Sequence, residues 1–160
     1  MRLTVAICTW NRASLLGRTL ETLVRAKRPR APWELIVVDN HCTDDTQRVL
    51  DRFAGPLPLR PVFEAEPGLS HARNAAIRHA TGDYVVWTDD DVLVGEEWLC
   101  AYEAAVERWP EAAVFGGPVR ARFEGTPPPW LSAIWPDVAA AFATRELGAE
   151  PFEGRDEFEP

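Results

Sequence analysis

The sequence predicts an α/β fold, a mostly parallel sheet flanked by helices on both faces. Short apolar runs, "RLTVAICT", "ELIVVD" and "YVVWT", alternate with stretches whose apolar residues recur at helical spacing. The run "ELIVVD" has no polar alternation, as a strand buried from both sides requires. Strand, helix, strand, helix in that rhythm means parallel strands joined by crossover helices.

The elements follow in chain order. Leu3, Val5 and Ile7 mark the first strand. Behind "NRAS", Leu15, Leu16, Leu20, Leu23 and Val24 lie at helical spacing, and Pro29 sets a limit. The second strand is "ELIVVD", ending at Asp39. Thr43 is the expected N-cap of the next helix, with Asp44 and Asp45 in its first turn and Val49, Leu50 and Phe53 facing inward. "LRPVFEAE" is a short strand, which Pro58 and Pro61 assign to an edge. Ser70 opens a helix through Ala72, Ala75, Ala76 and Ile77, closed by "TGD" at Thr81 to Asp83. "YVVWT" is the next buried strand. A helix over Glu96 to Trp109, ended by Pro110, and a strand at "AAVFGG" complete the pattern.

From Gly125 the character changes. "TPPPWLSAIWP" is rich in proline and tryptophan, a short Ala-rich helix is expected at Asp137 to Thr144, and "EPFEGRDEFEP" is acidic. The expected organisation is a core over 1–124 and a tail over 125–160.

A chain of 160 residues, 46% of them apolar, suffices for one domain with its own core. The net charge of −8 excludes general nucleic-acid binding, which needs a basic face. Three cysteines at no metal-like spacing read as reduced thiols, and no apolar run reaches transmembrane length. The expectation is a soluble, cytoplasmic protein.

In open parallel sheets, ligands bind at the carboxyl ends of the strands. The unusual polar residues collect there: Thr9, Asn11 and Arg12 after the first strand, Asp39 and Asn40 after the second, Asp89, Asp90 and Asp91 after "YVVWT". "HARN", with His71, Arg73 and Asn74, opens the helix before the aspartate strand. Acids after a strand often cap the next helix or form a solvated turn, but three within one turn repel one another, and a divalent cation such as Mg²⁺ or Mn²⁺ removes the conflict. "CTWNRAS" lacks the G-x-G-x-x-G of a dinucleotide site, and no phosphate-cradling G-x-x-x-x-G-K-[ST] loop occurs.

The ordered blocks "TVAICTWNR", "VVDNHCTDDT", "EPGLSHARNAAIRHATGDYVVWTDDDV" and "EEWL" resemble those of a family 2 glycosyltransferase. The resemblance implies a Rossmann-like GT-A fold, a nucleotide-diphosphate sugar donor (first of all a UDP-sugar) and an acceptor that is a glycan, a lipid or a protein. It also implies Mn²⁺ or Mg²⁺ as cofactor. By the same resemblance, the Thr9 backbone, Asp39 and Arg73 would hold the base. Asp89 would face ribose or metal and Asp91 would coordinate the cation. Asn11 and Arg12, from their place at the first strand end, and the middle acid Asp90 are added to the donor-binding set, a surface role for Arg12 being the alternative.

Similar proteins continue into a Gly-Asn block and an acidic base motif, which this chain does not reach before Pro160. The expectation is a donor-binding part without its base, Asp156 and Glu157 being weak candidates for that role. Trp130 and Trp135 suit either an acceptor groove or packing, and the 127–142 segment is a candidate for self-association. Two other readings share the pocket: a non-catalytic nucleotide-sugar-binding module, and a metal-dependent phosphohydrolase or nucleotidyltransferase. The hydrolase should carry a carboxylate at the first strand end, and "CTWNR" has none.

Overall fold

The structure is a computed structural model that describes residues 1–145. It divides into two compact units, Met1–Glu111 and Ala112–Pro160. The division falls ahead of the compositional change at Gly125.

The first unit carries β1 (Leu3–Thr9), α1 (Ala13–Arg25), β2 (Trp33–Asp39), α2 (Thr46–Phe53), β3 (Leu59–Phe63), α3 (Leu69–His79), β4 (Tyr84–Trp87) and α4 (Trp98–Arg108). Its strands form one sheet in the order β3-β2-β1-β4, every pair parallel. The proline-bearing β3 lies at an edge, as expected.

Strand alternation sorts the core into two layers. Leu3, Val5, Ile7, Leu35, Val37 and Val86 face Leu16, Leu20 and Leu23 of α1, Leu50 and Phe53 of α2, and Leu99 of α4. Ala6, Ile36, Val38 and Val62 face Ala72, Ala75 and Ala76 of α3. Both faces of β2 are therefore covered, which explains its unbroken apolar run.

The amino end of the sheet is tied by a buried carboxylate. Glu34 accepts hydrogen bonds from the Thr4 hydroxyl (2.8 Å), from the amide and hydroxyl of Thr81 (2.7 Å each) and from Arg60 (3.2 Å). Burial pushes its pKa up, but the bonds from Thr81, Thr4 and Arg60 outweigh that and hold it at about 2. The Gly82 amide donates to the Thr4 hydroxyl at 2.9 Å. A Cβ at Gly82 would stand 2.7 Å from the Thr4 nitrogen, so only glycine fits this crossing of backbones.

Four expectations are corrected. The N-cap expected at Thr43 moves to Asp45, the helix begins at Thr46, and Asp44 bonds its first amide. The Asp44 carboxylate accepts from the Thr46 amide at 3.1 Å and from the α1 amide of Ala13 at 2.9 Å, serving two helix starts at once. The helix foreseen over Glu96 to Trp109 is α4, Trp98–Arg108. "AAVFGG" forms no strand, having no ladder partner among the described residues. The Ala-rich helix expected at Asp137 to Thr144 reduces to a single 3-10 turn, Ala139–Phe142, behind α5 (Pro129–Val138).

In the second unit, an antiparallel bridge joins Val119 to Arg145. Trp135 meets Phe123 at 5.0 Å and Phe142 at 5.4 Å between ring centroids. Leu131 is the unit's one buried apolar residue among those described, while Trp130, Ile134 and Phe142 are exposed. Among the described residues no helix is long and apolar enough to cross a membrane.

Candidate functional site

The carboxyl ends of all four strands open on one edge of the sheet, as parallel pairing dictates. β1 delivers Thr9, Trp10, Asn11 and Arg12, β2 delivers Asp39 and Asn40, and β4 delivers Asp89 to Asp91.

The loops after β1 and β2 are knitted together. The Thr9 carbonyl accepts from the Asn40 amide at 3.0 Å. Asn11 adopts a left-handed φ of 53°, and its Oδ1 accepts from the Thr43 amide at 2.7 Å. Its own amide points to the Cys42 sulfur at 3.3 Å. Asp39, half-buried, accepts from the Cys42 amide through Oδ1 at 2.7 Å. The Cys42 thiol also hydrogen-bonds to the Asp39 carboxylate, a contact that adds to the rise that burial gives the Cys42 pKa.

The three aspartates take different environments. Asp90 is buried, with one oxygen accepting from the Thr9 hydroxyl at 2.7 Å and the other from Arg12 Nη1 at 2.8 Å. Its backbone carbonyl accepts from the Thr19 hydroxyl of α1 at 2.9 Å. Asp91 is exposed and shares the same Arg12 nitrogen at 3.0 Å. Asp89 is exposed, and its carboxylate accepts nothing among the described residues. The middle residue, grouped with the donor-binding set, is thus the one whose two oxygens are occupied by protein donors.

Arg73 projects from α3 with its guanidinium carbon 5.9 Å from the centroid of the Trp87 ring. With Ser70, Asn74, Ile77 and Trp87 it lines an open groove of about 570 Å³. Burial pushes the Cys8 thiol up to about 11, Arg73 acting in the opposite direction and Asp89 and Asp90 adding to the rise. Cys8 is therefore a neutral thiol and no nucleophile at neutral pH. These influences also place Arg73 and Asp89 around the same point of β1.

Thr9, Arg12, Asp90 and Asp91 thus form one hydrogen-bonded cluster, with Asn11 and Asp39 joined to it through the 39–43 loop. Asp156 and Glu157 lie outside the described residues. Sequence reasoning passed over two contributors, Thr19 and Trp10, and placed Asn40 at the strand end without giving it a role. Asn40 is buried, donates to the carbonyls of Glu64 (3.3 Å) and Glu66 (2.7 Å), and accepts from Gly68 (2.8 Å), fixing the loop that leads to Arg73. Thr19 anchors the aspartate turn to α1. Trp10 stands 63% exposed directly after β1, an apolar surface that packing does not use. Asn40 was visible as a polar residue at the end of the second strand; Thr19 and Trp10 had no signal.

The donor set suits a divalent cation of the oxygen-loving kind. Asp89 and Asp91 are hard carboxylate donors on one exposed turn. Among the described residues no three His, Cys, Asp or Glu side chains converge. The protein would therefore supply two ligands and leave the rest to water and substrate oxygens, as Mg²⁺ sites commonly do.

The profile of Glycosyl transferase family 2 matches residues 4–155. Validoxylamine A glucosyltransferase of Streptomyces hygroscopicus subsp. jinggangensis is 31% identical over 94% of this chain and 36% of its own length. The succinoglycan biosynthesis protein ExoM of Rhizobium meliloti is 30% identical over 82% of this chain and 43% of its own. This chain therefore spans less than half the length of these relatives. Among solved structures, the mannosyltransferase PcManGT of Pyrobaculum calidifontis, in complex with GDP-Man and Mn²⁺, is 34% identical with a TM-score of 0.61. That match covers 74% of this chain and 35% of PcManGT. Residues 1–349 of Staphylococcus aureus TarS, in complex with UDP-GlcNAc, are 26% identical, TM-score 0.60, over 68% of this chain and 32% of that fragment. With its parallel sheet, its acidic turn at the end of β4 and this match over most of its length, the chain belongs to glycosyltransferase family 2.

Proposed function

We propose that the chain is the donor-binding part of a glycosyltransferase, and that it takes a nucleoside-diphosphate sugar with Mn²⁺ or Mg²⁺ at the strand ends. The observation that carries the reading is the division of labour at residues 89–91. A buried, doubly bonded Asp90 fixes a turn on which Asp89 and Asp91 stay exposed. A cation there would be held by Asp91 and Asp89, and its chemistry when bound is to stabilise the negative charge that a departing diphosphate gathers. The half-buried Asp39 carboxylate would accept a hydrogen bond from the base, with the exposed Trp10 as a flat surface beside the same loop. Arg73 adds positive charge on the α3 side.

UDP is the first candidate nucleotide, since an imide N–H suits the acceptor Asp39. GDP is the second, because PcManGT binds GDP-Man at 34% identity. A transfer reaction also needs a base for the acceptor hydroxyl, a role that no described residue takes in this reading. The cysteines form no disulfide, which supports a cytoplasmic setting. We also take the exposed Trp130, Ile134 and Phe142 as the contact for self-association.

Calorimetry of the chain with UDP and with GDP, in Mn²⁺ and in chelator, tests the reading. Binding should be tighter with Mn²⁺, and Asp39→Ala should weaken the preferred nucleotide while Mn²⁺ binding persists. Equal affinity of wild type and Asp39→Ala for both nucleotides would remove Asp39 from the base site.

A further inference from the structure

Arg12 occupies a position that α1 does not explain. It precedes the first helical residue, where Ser, Thr, Asp or Asn normally caps, and its side chain makes no cap bond. A cation at this end also opposes the helix dipole, whose first amide, at Ala13, is already bonded by the Asp44 carboxylate. The partners of Arg12 lie 78 and 79 residues away, at Asp90 and Asp91.

Those two partners differ in freedom. The Asp90 side chain is 5% exposed and both its oxygens are bonded, so the Arg12–Asp90 bond is an anchor. The side chains of Asp91 and Arg12 are 42% and 48% exposed, so their bond can open toward water. One nitrogen, Nη1, serves both acids, and Nε and Nη2 have no partner among the described residues. Arg12 can release Asp91 without leaving Asp90, and it still carries unused donors in the planar array that suits a phosphate.

We propose that Arg12 is a resident counterion that discourages the acidic turn from holding a free divalent cation and makes it prefer a cation arriving with a diphosphate. The inference rests on the donor-site reading above and deepens it. A bare cation at Asp91 meets a guanidinium within contact distance of the same carboxylate, and like charges repel. A cation that brings a diphosphate also brings anionic oxygens for the free Arg12 donors, so the repulsion becomes an attraction. Arg12 therefore couples the two ligands, acting as a positioning residue and not a catalytic one.

Coupling of this kind is a ratio of affinities and is reciprocal between the ligands. Mn²⁺ affinity is measured by paramagnetic resonance of the free ion, alone and with saturating UDP, in wild type, Arg12→Gln and Arg12→Lys. In wild type, UDP should tighten Mn²⁺ binding strongly. In Arg12→Gln, Mn²⁺ alone should bind more tightly and UDP should bind less tightly, so the ratio falls about tenfold. Arg12→Lys, which keeps the charge, should restore most of it. A merely structural Arg12 would weaken both affinities together and leave the ratio unchanged, and that result overturns the inference. Should Arg12→Gln fail to fold, the double variant Arg12→Gln, Asp90→Asn removes the buried acid with its counterion and is expected to show the same fall. An unchanged ratio there is equally fatal. If wild type binds no nucleotide with Mn²⁺, the donor-site reading itself fails and this inference falls with it. Nucleotide binding with an Arg12-independent ratio defeats the inference alone.

Discussion

Asp90 and Asp91 are adjacent in sequence but opposite in environment, and substitutions should separate them. Asp91→Asn removes a charge from an exposed donor, so the gain in UDP affinity from Mn²⁺ should fall on the order of tenfold or more, with the melting temperature little changed. Asp90→Asn leaves Arg12 without its charged anchor inside the fold. Its loss should be one of stability, about 1–3 kcal/mol, seen as a lowered melting temperature, and its effect on Mn²⁺-dependent UDP binding should be the smaller. Calorimetry and thermal melts check both. Glu34 gives the pH prediction. Its pKa is about 2 in the fold against an ordinary 4.5, so its stabilisation is complete above 4.5 and is lost as pH falls toward 2. The shift corresponds to about 3 kcal/mol. Glu34→Gln should lower stability at neutral pH and flatten the acid limb of a denaturation-versus-pH curve across that window. The acids at 89–91 were legible in the sequence as a candidate metal turn, whereas the inward rotation of the middle one was not. That rotation depends on Thr9, Arg12 and Thr19, all more than seventy residues away in the chain.

At the scale of elements, Gly82 and Leu20 probe different forces. Gly82→Ala pushes a methyl carbon against the backbone of β1, to 2.7 Å from the Thr4 nitrogen, so the β1–β4 contact must shift. The cost should be about 1–3 kcal/mol in chemical denaturation. Leu20→Ala, at a fully buried position of α1, should cost about 2–5 kcal/mol through the cavity it leaves. Both should spare the metal preference. The four strands and the first three helices could be read from periodicity because each carries an apolar face that packs on the sheet or receives helices. "AAVFGG" has the composition of a strand, but composition supplies no partner, and a strand without a ladder does not form. Thr43 was a reasonable cap by residue type. The cap position falls at Asp45, and Asp44 bonds the first amides of both α2 and α1, a contact that no local pattern announces.

Across the whole molecule, the sheet order and the acidic turn concern the same edge of one unit, the family match runs over residues 4–155, and the net charge of −8 bears on what binds at that edge. An anionic protein that takes an anionic diphosphate must supply local positive charge. Arg12, Arg73 and a divalent cation are the sources proposed at that edge. The fold class was legible throughout because the β-α alternation is a global pattern, whereas the local balance of charge depends on which side chains the loops turn inward. A crystal structure grown with UDP and Mn²⁺, with anomalous scattering used to locate the metal, tests the central claim most directly. Expected is a manganese peak within coordination distance of Asp91 and Asp89, joined to the diphosphate, with the base on the β1–β2 side near Asp39. A nucleotide bound elsewhere, or manganese with no contact to either aspartate, would contradict it.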